Sequence, residues 1–70
     1  MVRYALLGYG KVAHLHAEAI KSAKDSKLVA VWGRNNEKAQ NFAKKWEIEA
    51  YTDLELMVKE ANVDAVVVTT

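Results

Sequence analysis

The 70-residue chain contains neither cysteine nor proline. Without cysteine, no disulfide framework or thiolate metal site can supplement a small core, and the cytoplasm is the compartment this usage fits. A chain of this size buries only about 60% of the surface its unfolded form exposes. One domain is therefore the upper bound, and stability must come from packing. No apolar run approaches the roughly 18 to 20 residues that span a bilayer, and Arg3 alone precedes a short apolar stretch that lacks a signal peptide's cleavage region. These features predict a soluble protein with no membrane partner. An excess of one charge is also missing: the formal net charge of +1 argues against a nucleic-acid binder held by a basic surface. Apolar residues make up 51% of the chain, enough for a core and too many for a disordered segment. The sequence closes on a strand-like run, Ala65 to Thr70, with nothing after it to pair or cover that strand. Together with the lack of proline, this leads to the expectation that the chain stops inside a larger fold.

Val2 to Leu7 is nearly continuous apolar sequence bounded by Gly8, the pattern of a buried parallel strand, and it is too short for a helix. Val12, Leu15, His16, Ala19, Ile20 and Ala23 then recur at helical spacing, with Lys11, Glu18, Lys21 and Lys24 mostly opposite. Leu28 to Trp32 is a second apolar run ending at Gly33. Asn35 or Asn36 can cap a second helix whose Ala39, Phe42, Ala43 and Trp46 form an apolar stripe. Ile48 to Tyr51 is a short third strand. Thr52 and Glu55 have capping-box spacing for a third helix that buries Leu54, Met57, Val58 and Ala61. After a turn around Asn62 to Asp64, Ala65-Val66-Val67-Val68 is a fourth strand rich in β-branched residues.

Strict alternation of strands and helices implies an α/β fold with a parallel sheet, right-handed crossovers and helices on both faces, because parallel neighbours cannot be joined by tight hairpins. The expected spatial order is 3-2-1-4, of Rossmann type. In that order the chain reverses direction across the sheet between its first and fourth strands, leaving a ligand-binding crevice at their carboxyl ends. The glycines and the terminal threonines both fall there.

Gly8-Tyr9-Gly10-Lys11-Val12-Ala13 matches G-x-G-x-x-G/A, and each small residue has a different physical task. Gly8 permits the tight turn, Gly10 lets the backbone approach a pyrophosphate, and Ala13 lets the helix pack near the sheet. The amides and dipole at the helix N-terminus would face the phosphates. The motif follows a strand and opens a helix that returns to a second strand, the context a dinucleotide site requires. The phosphate loop of nucleotide triphosphatases, G-x-x-x-x-G-K-[ST], is absent. An acid about 20 residues past the glycines would bind the adenosine ribose and repel a 2′-phosphate. Instead the second strand ends Trp32-Gly33-Arg34-Asn35. The Arg34 guanidinium can pair with a phosphate and stack on adenine, and Lys38 stands one helical turn on. The preferred cofactor is accordingly NADP, with NAD the alternative. The blander reading makes Arg34 and Lys38 solvated surface charges.

The series Gly8, Gly10, Ala13 and His16, then Gly33-Arg34-Asn35 with Lys38-Ala39, then Tyr51-Thr52-Asp53-Leu54, then Val63 to Val68 leading into Thr69-Thr70 resembles the N-terminal domain of a known family. That family is the glucose-fructose oxidoreductase, inositol dehydrogenase and rhizopine-catabolism family of NAD(P)-dependent oxidoreductases, and the resemblance covers the whole chain. Ala13 replaces the commoner third glycine, and an acid found in many NAD-using members is replaced around Gly33. The resemblance implies a second α/β domain carrying the substrate pocket and much of a homo-oligomer interface. It also implies hydride transfer to or from a hydroxyl or carbonyl group on a sugar, cyclitol or related small molecule. The family's Glu-Lys-Pro motif, whose lysine assists proton transfer, is absent from these residues, so no catalytic residue is assigned. Thr69 and Thr70 would lie along the cofactor near its nicotinamide-side ribose, and Tyr9, Lys11 and Val12 would line the phosphate turn. The full cofactor-binding set is Gly8, Tyr9, Gly10, Lys11, Val12, Ala13, Gly33, Arg34, Asn35, Lys38, Thr69 and Thr70.

Two histidines invite a metal or acid-base reading. A spacing of two on a helix turns their side chains about 200° apart, so they cannot easily share a metal. His14 is expected to face solvent, and His16 to pack beneath the cofactor turn on the apolar face. Phe42 and Trp46 read as core anchors, and Trp32 as filling one face of the sheet while standing next to Gly33. A reading from another class is a dinucleotide-binding module without turnover, such as a redox-ratio sensor, since one scaffold hosts unrelated functions.

Overall fold

The computed structural model describes residues 1–69. Its elements run β1 (Val2–Leu7), α1 (Lys11–Ser22), β2 (Ser26–Trp32), α2 (Asn36–Trp46), β3 (Glu49–Tyr51), α3 (Leu54–Glu60) and β4 (Ala65–Val68). The four strands form one parallel sheet in the order β3-β2-β1-β4, as the alternating pattern predicts. Successive side chains of a strand point to opposite faces, and helices pack on both, leaving Val66 and Val68 of β4 exposed. Tyr4, Leu6, Leu28, Val31, Ala50 and Val67 pack on the side of α1 and α2. Ala5, Leu7, Val29, Ala30, Trp32 and Tyr51 pack with Met57 and Ala61 of α3 and with Val63. The fold is an α/β sandwich of Rossmann type. Among the described residues, no helix is long and apolar enough to cross a membrane.

One irregularity sets the register of the central pair. Tyr4 pairs with Leu28, but Ala5 pairs with Ala30, so Val29 is an extra residue on β2. The insertion breaks the two-residue period: Val29 and Ala30 share the α3 face, and Leu28 and Val31 share the other. A bulge of this kind re-aims every later side chain of the strand, and it places Trp32 on the α3 face. Leu28 to Val31 are all buried, so the run reads from sequence as a continuous apolar strand.

Arg3 closes the fold at the opposite end from the glycines. Its Nη2 and Nε donate to the carbonyl of Ala61 at 2.9 and 3.1 Å, and Nε also donates to the carbonyl of Asn62 at 3.1 Å. A cation on the last carbonyls of a helix complements its dipole. The amide of Arg3 donates to the Asp64 carboxylate at 2.9 Å, and the Asp64 amide donates to the Arg3 carbonyl at 2.8 Å. Asn62 makes the turn into β4 with a left-handed φ of 53°.

The helices depart from the predicted faces in two places. In α1 the buried residues are Ala13, Ala17 and Ile20; Val12 is 52% and Leu15 67% exposed. Two apolar phases are available on this helix, and close approach to the sheet selects the one made of small side chains. His14 consequently turns inward and is half-buried, while His16 is exposed, the reverse of expectation. In α3 the capping residue is Asp53, whose Oδ1 accepts from the Leu56 amide at 3.1 Å, and not Thr52. The Thr52–Glu55 capping box does not form. Of the four residues expected to be buried on α3, Met57 and Ala61 reach the core, and Leu54 and Val58 are exposed. In α2 the expectation holds: Asn35 caps, and Ala39, Phe42 and Ala43 are buried.

Leu6, on the inner strand β1 between β2 and the edge strand β4, is fully buried. Leu6→Ala is expected to lower unfolding free energy by about 2 to 5 kcal/mol, the usual cost of a core cavity. Chemical denaturation followed by tryptophan fluorescence measures this.

Candidate functional site

Parallel pairing aligns the strand ends. Leu7 lies opposite Trp32 on one side and Val68 on the other, and Trp32 lies opposite Tyr51. The segments that follow these strands therefore emerge together at one edge. The Gly8 amide donates to the Trp32 carbonyl at 2.8 Å, and the Gly33 amide donates to the Tyr51 carbonyl at 3.1 Å. Thr69 is tied down twice, its amide and its hydroxyl both donating to the Leu7 carbonyl at 3.0 Å. Above these bonds opens a groove of about 420 Å³ lined by Gly8, Tyr9, Gly10, Trp32, Gly33, Arg34 and Thr69.

Gly8 has φ 118°, a conformation open in practice only to glycine, and so turns the chain sharply from β1 toward α1. Gly10 has an ordinary extended backbone, φ −80°. A Cβ added there would meet no atom within 4 Å. Its missing side chain leaves room for something outside the chain, where a packing glycine would leave room for a neighbour. Gly10 is also the N-cap of α1 and supplies no side-chain bond to the first-turn amides, whereas Asn35 and Asp53 cap α2 and α3. The first turn of α1 holds no acid, while α2 has Glu37 and α3 has Glu55 there. The α1 terminus thus offers amide donors and the positive end of a helix dipole without an internal anion. An open backbone at Gly10 together with free amides fits a diphosphate.

The predicted residues divide accordingly. Gly8, Tyr9, Gly10, Gly33, Arg34 and Thr69 line the groove. Lys11 and Val12 are exposed on the first turn of α1, and Ala13 is fully buried where the helix meets the sheet. Asn35 has its side-chain oxygen engaged by the Lys38 amide at 3.0 Å, so its side chain is a helix cap. Lys38 lies on the far side of Tyr9, in a second depression of about 310 Å³ shared with His14, Asn41, Phe42 and Lys45. Thr70 lies outside the described residues. Trp32, read from sequence chiefly as packing, does pack against the α3 face, with its Nε1 donating to the Thr52 carbonyl at 2.9 Å. It also borders the groove. The available signal was its position as the last strand residue before Gly33.

His14, Phe42 and Trp46 form a cluster that spacing alone did not reveal. The His14 and Phe42 rings lie 4.6 Å apart, and Trp46 Nε1 donates to His14 Nδ1 at 2.9 Å. A nitrogen that accepts this bond carries no proton, so the neutral imidazole has its hydrogen on Nε2.

These features define a dinucleotide-binding α/β domain: a parallel sheet in 3-2-1-4 order, a glycine turn into an uncapped helix, and a groove at the strand carboxyl ends. The chain belongs to the oxidoreductase family with an NAD-binding Rossmann fold that unites glucose-fructose oxidoreductase, inositol dehydrogenase and rhizopine-catabolism proteins; its family profile matches residues 2–70. The chain is 36% identical over 67 residues to the oxidoreductase YgjR of Escherichia coli, covering 94% of this chain and 20% of that protein. It is 35% identical over 69 residues to inositol 2-dehydrogenase of Rhizobium meliloti, covering 99% and 21%. Among solved structures, GenD2 from gentamicin A biosynthesis in complex with NAD superposes with a TM-score of 0.90 at 25% identity, over 99% of this chain and 20% of that one. Biliverdin reductase from Synechocystis, in complex with biliverdin and NADP+, gives a TM-score of 0.85 at 25% identity, over 99% and 22%. The chain spans about a fifth of the length of the curated relatives.

Burial, with a smaller push from the Lys45 ammonium, holds His14 below its ordinary 6.5. The unfolded chain therefore takes up this proton first. The contribution of neutral His14 is complete above the unfolded value and is lost as pH falls through it toward the lower folded value. Melting temperature is expected to fall as pH drops from about 7.5 to about 5.5. His14→Gln, which does not titrate, should make that slope shallower in scanning calorimetry.

Proposed function

We propose that this chain is the cofactor-binding portion of a longer oxidoreductase that holds NADP(H) in preference to NAD(H). The bound nicotinamide would exchange a hydride with a small hydroxylated or carbonyl substrate, such as a sugar or cyclitol. Supporting the substrate class is the likeness to inositol 2-dehydrogenase. A second α/β domain following these residues would supply the substrate pocket, the catalytic lysine and much of a homo-oligomer interface. The cysteine-free sequence accords with a cytoplasmic enzyme.

The groove at the carboxyl edge carries this reading. The diphosphate would lie over Gly10 against the first-turn amides of α1, an arrangement in which bound anions meet donors and a favourable dipole. The adenosine end would then reach Gly33 and Arg34. A carboxylate at the end of β2 would bind the ribose hydroxyls and repel a 2′-phosphate. Here the strand is followed by Gly33 and an exposed guanidinium, which suits a dianionic 2′-phosphate through paired, charge-assisted hydrogen bonds. Lys38 is set back beside the second depression and would add charge more than contact. What this part of the chain contributes to catalysis is orientation of the cofactor.

NADPH and NADH titrations of the intact protein, followed by tryptophan fluorescence, test the assignment. Arg34→Ala is expected to weaken NADPH binding by about tenfold, near 1.4 kcal/mol, and to leave NADH binding nearly unchanged. Gly10→Val should abolish binding of both nucleotides while leaving the melting temperature close to that of the parent, since the added side chain enters open space. Failure of the unsubstituted, folded protein to bind either nucleotide would sink the reading.

A further inference from the structure

Gly33 differs from the other two glycines in why it has no side chain. Its φ lies outside the left-handed region, so its backbone suits any residue. Its space does not. A Cβ built on Gly33 would overlap Cε2 of Tyr9, fall 2.5 Å from Cδ2 and 3.2 Å from Cζ. The Tyr9 ring thus lies directly against the backbone at the end of β2. It is also packed against the core cluster that contains Leu6 and Phe42. With one face on the groove and another on the depression beside α2, it forms the wall between them.

Resting on the dinucleotide reading above, we propose that Tyr9 determines cofactor choice through Gly33. The ring occupies the space a side chain at position 33 needs, so the carboxylate that would bind an adenosine ribose at the end of β2 has no room there. A side chain at position 33 can enter only if Tyr9 rotates away. Rotation forfeits the ring's packing on the core and drives it into one of the two depressions it separates. Absence of the acid and presence of Tyr9 are therefore one device. Arg34 supplies the attraction for a 2′-phosphate, and the Tyr9–Gly33 contact excludes the residue that would select against it. The pair is specificity-determining and takes no part in the chemistry.

The consequence is strong non-additivity between two positions that lie 24 residues apart in the sequence and touch in the fold. In the intact protein, Gly33→Asp alone should lose NADPH binding by about tenfold or more without gaining NADH binding, because the displaced ring obstructs the groove. The double variant Tyr9→Ala with Gly33→Asp should bind NADH at least about tenfold more tightly than Gly33→Asp alone. A Gly33→Asp protein that binds NADH as tightly as the double variant would overturn the proposal. Melting temperatures provide a readout independent of nucleotide. Gly33→Ala should lower the melting temperature when Tyr9 is present and leave it unchanged in the Tyr9→Ala background; equal losses in both backgrounds would overturn the steric coupling. If the unsubstituted protein binds neither nucleotide, the dinucleotide reading fails and takes the specificity role with it. That outcome is distinct from tight NADPH binding combined with additive substitutions, which removes the Tyr9 proposal alone.

Discussion

Every functional feature of this domain depends on the parallel pairing of β1 with both of its neighbours. Leu7 is held opposite Trp32 and Val68, so the backbone leaving β1, β2 and β4 emerges at a common edge. The carbonyls of Leu7, Trp32 and Tyr51 then accept the amides of Thr69, Gly8 and Gly33. These bonds satisfy groups that would be costly to leave unpaired at a partly buried edge. They also hold three short connections in fixed relation, so that the groove is built on strand ends and not on free loops. An antiparallel sheet of the same residues would send these segments to opposite ends.

Helix placement turns that edge into a site. Ala13 and Ala17 are fully buried where α1 meets the sheet, and their small size allows the close approach that brings the helix N-terminus over the end of β1. Side chains cap α2 and α3, so their first-turn amides are partly used; the α1 terminus has no side-chain cap and no acid in its first turn. Three glycines lie within this region for three physical reasons. Gly8 supplies a backbone angle, Gly10 supplies open space, and Gly33 yields to the Tyr9 ring.

Much of this was legible in the chain. The strands, their order, the glycine turn, the Asn35 cap and the anchors of α2 all follow from local pattern, because a strand buried on both faces and an amphipathic helix each carry a strong period. The faces of α1 and α3 were only half legible: Ile20, Met57 and Ala61 are buried as expected, but Val12, Leu15, Leu54 and Val58 are exposed. On α1, hydrophobicity favours the larger Val12 and Leu15, whereas packing distance to the sheet favours the smaller Ala13 and Ala17. The misplacement of His14 and His16 follows from the same error, since a wrong phase moves both. Trp32 as a groove residue was legible only from its neighbour Gly33, and the bulge at Val29 left no mark because all four residues around it are apolar.

The sequence by itself determined the alternation of strand and helix, the parallel sheet that alternation requires, and the residue types along the groove at the strand ends, because each is written within a few neighbouring positions. Only the tertiary structure decided which helix face is buried, that Trp46 donates to His14, and that Tyr9 lies against Gly33. These contacts join residues distant in the chain, and their outcome depends on volumes that must fit together once the sheet has formed.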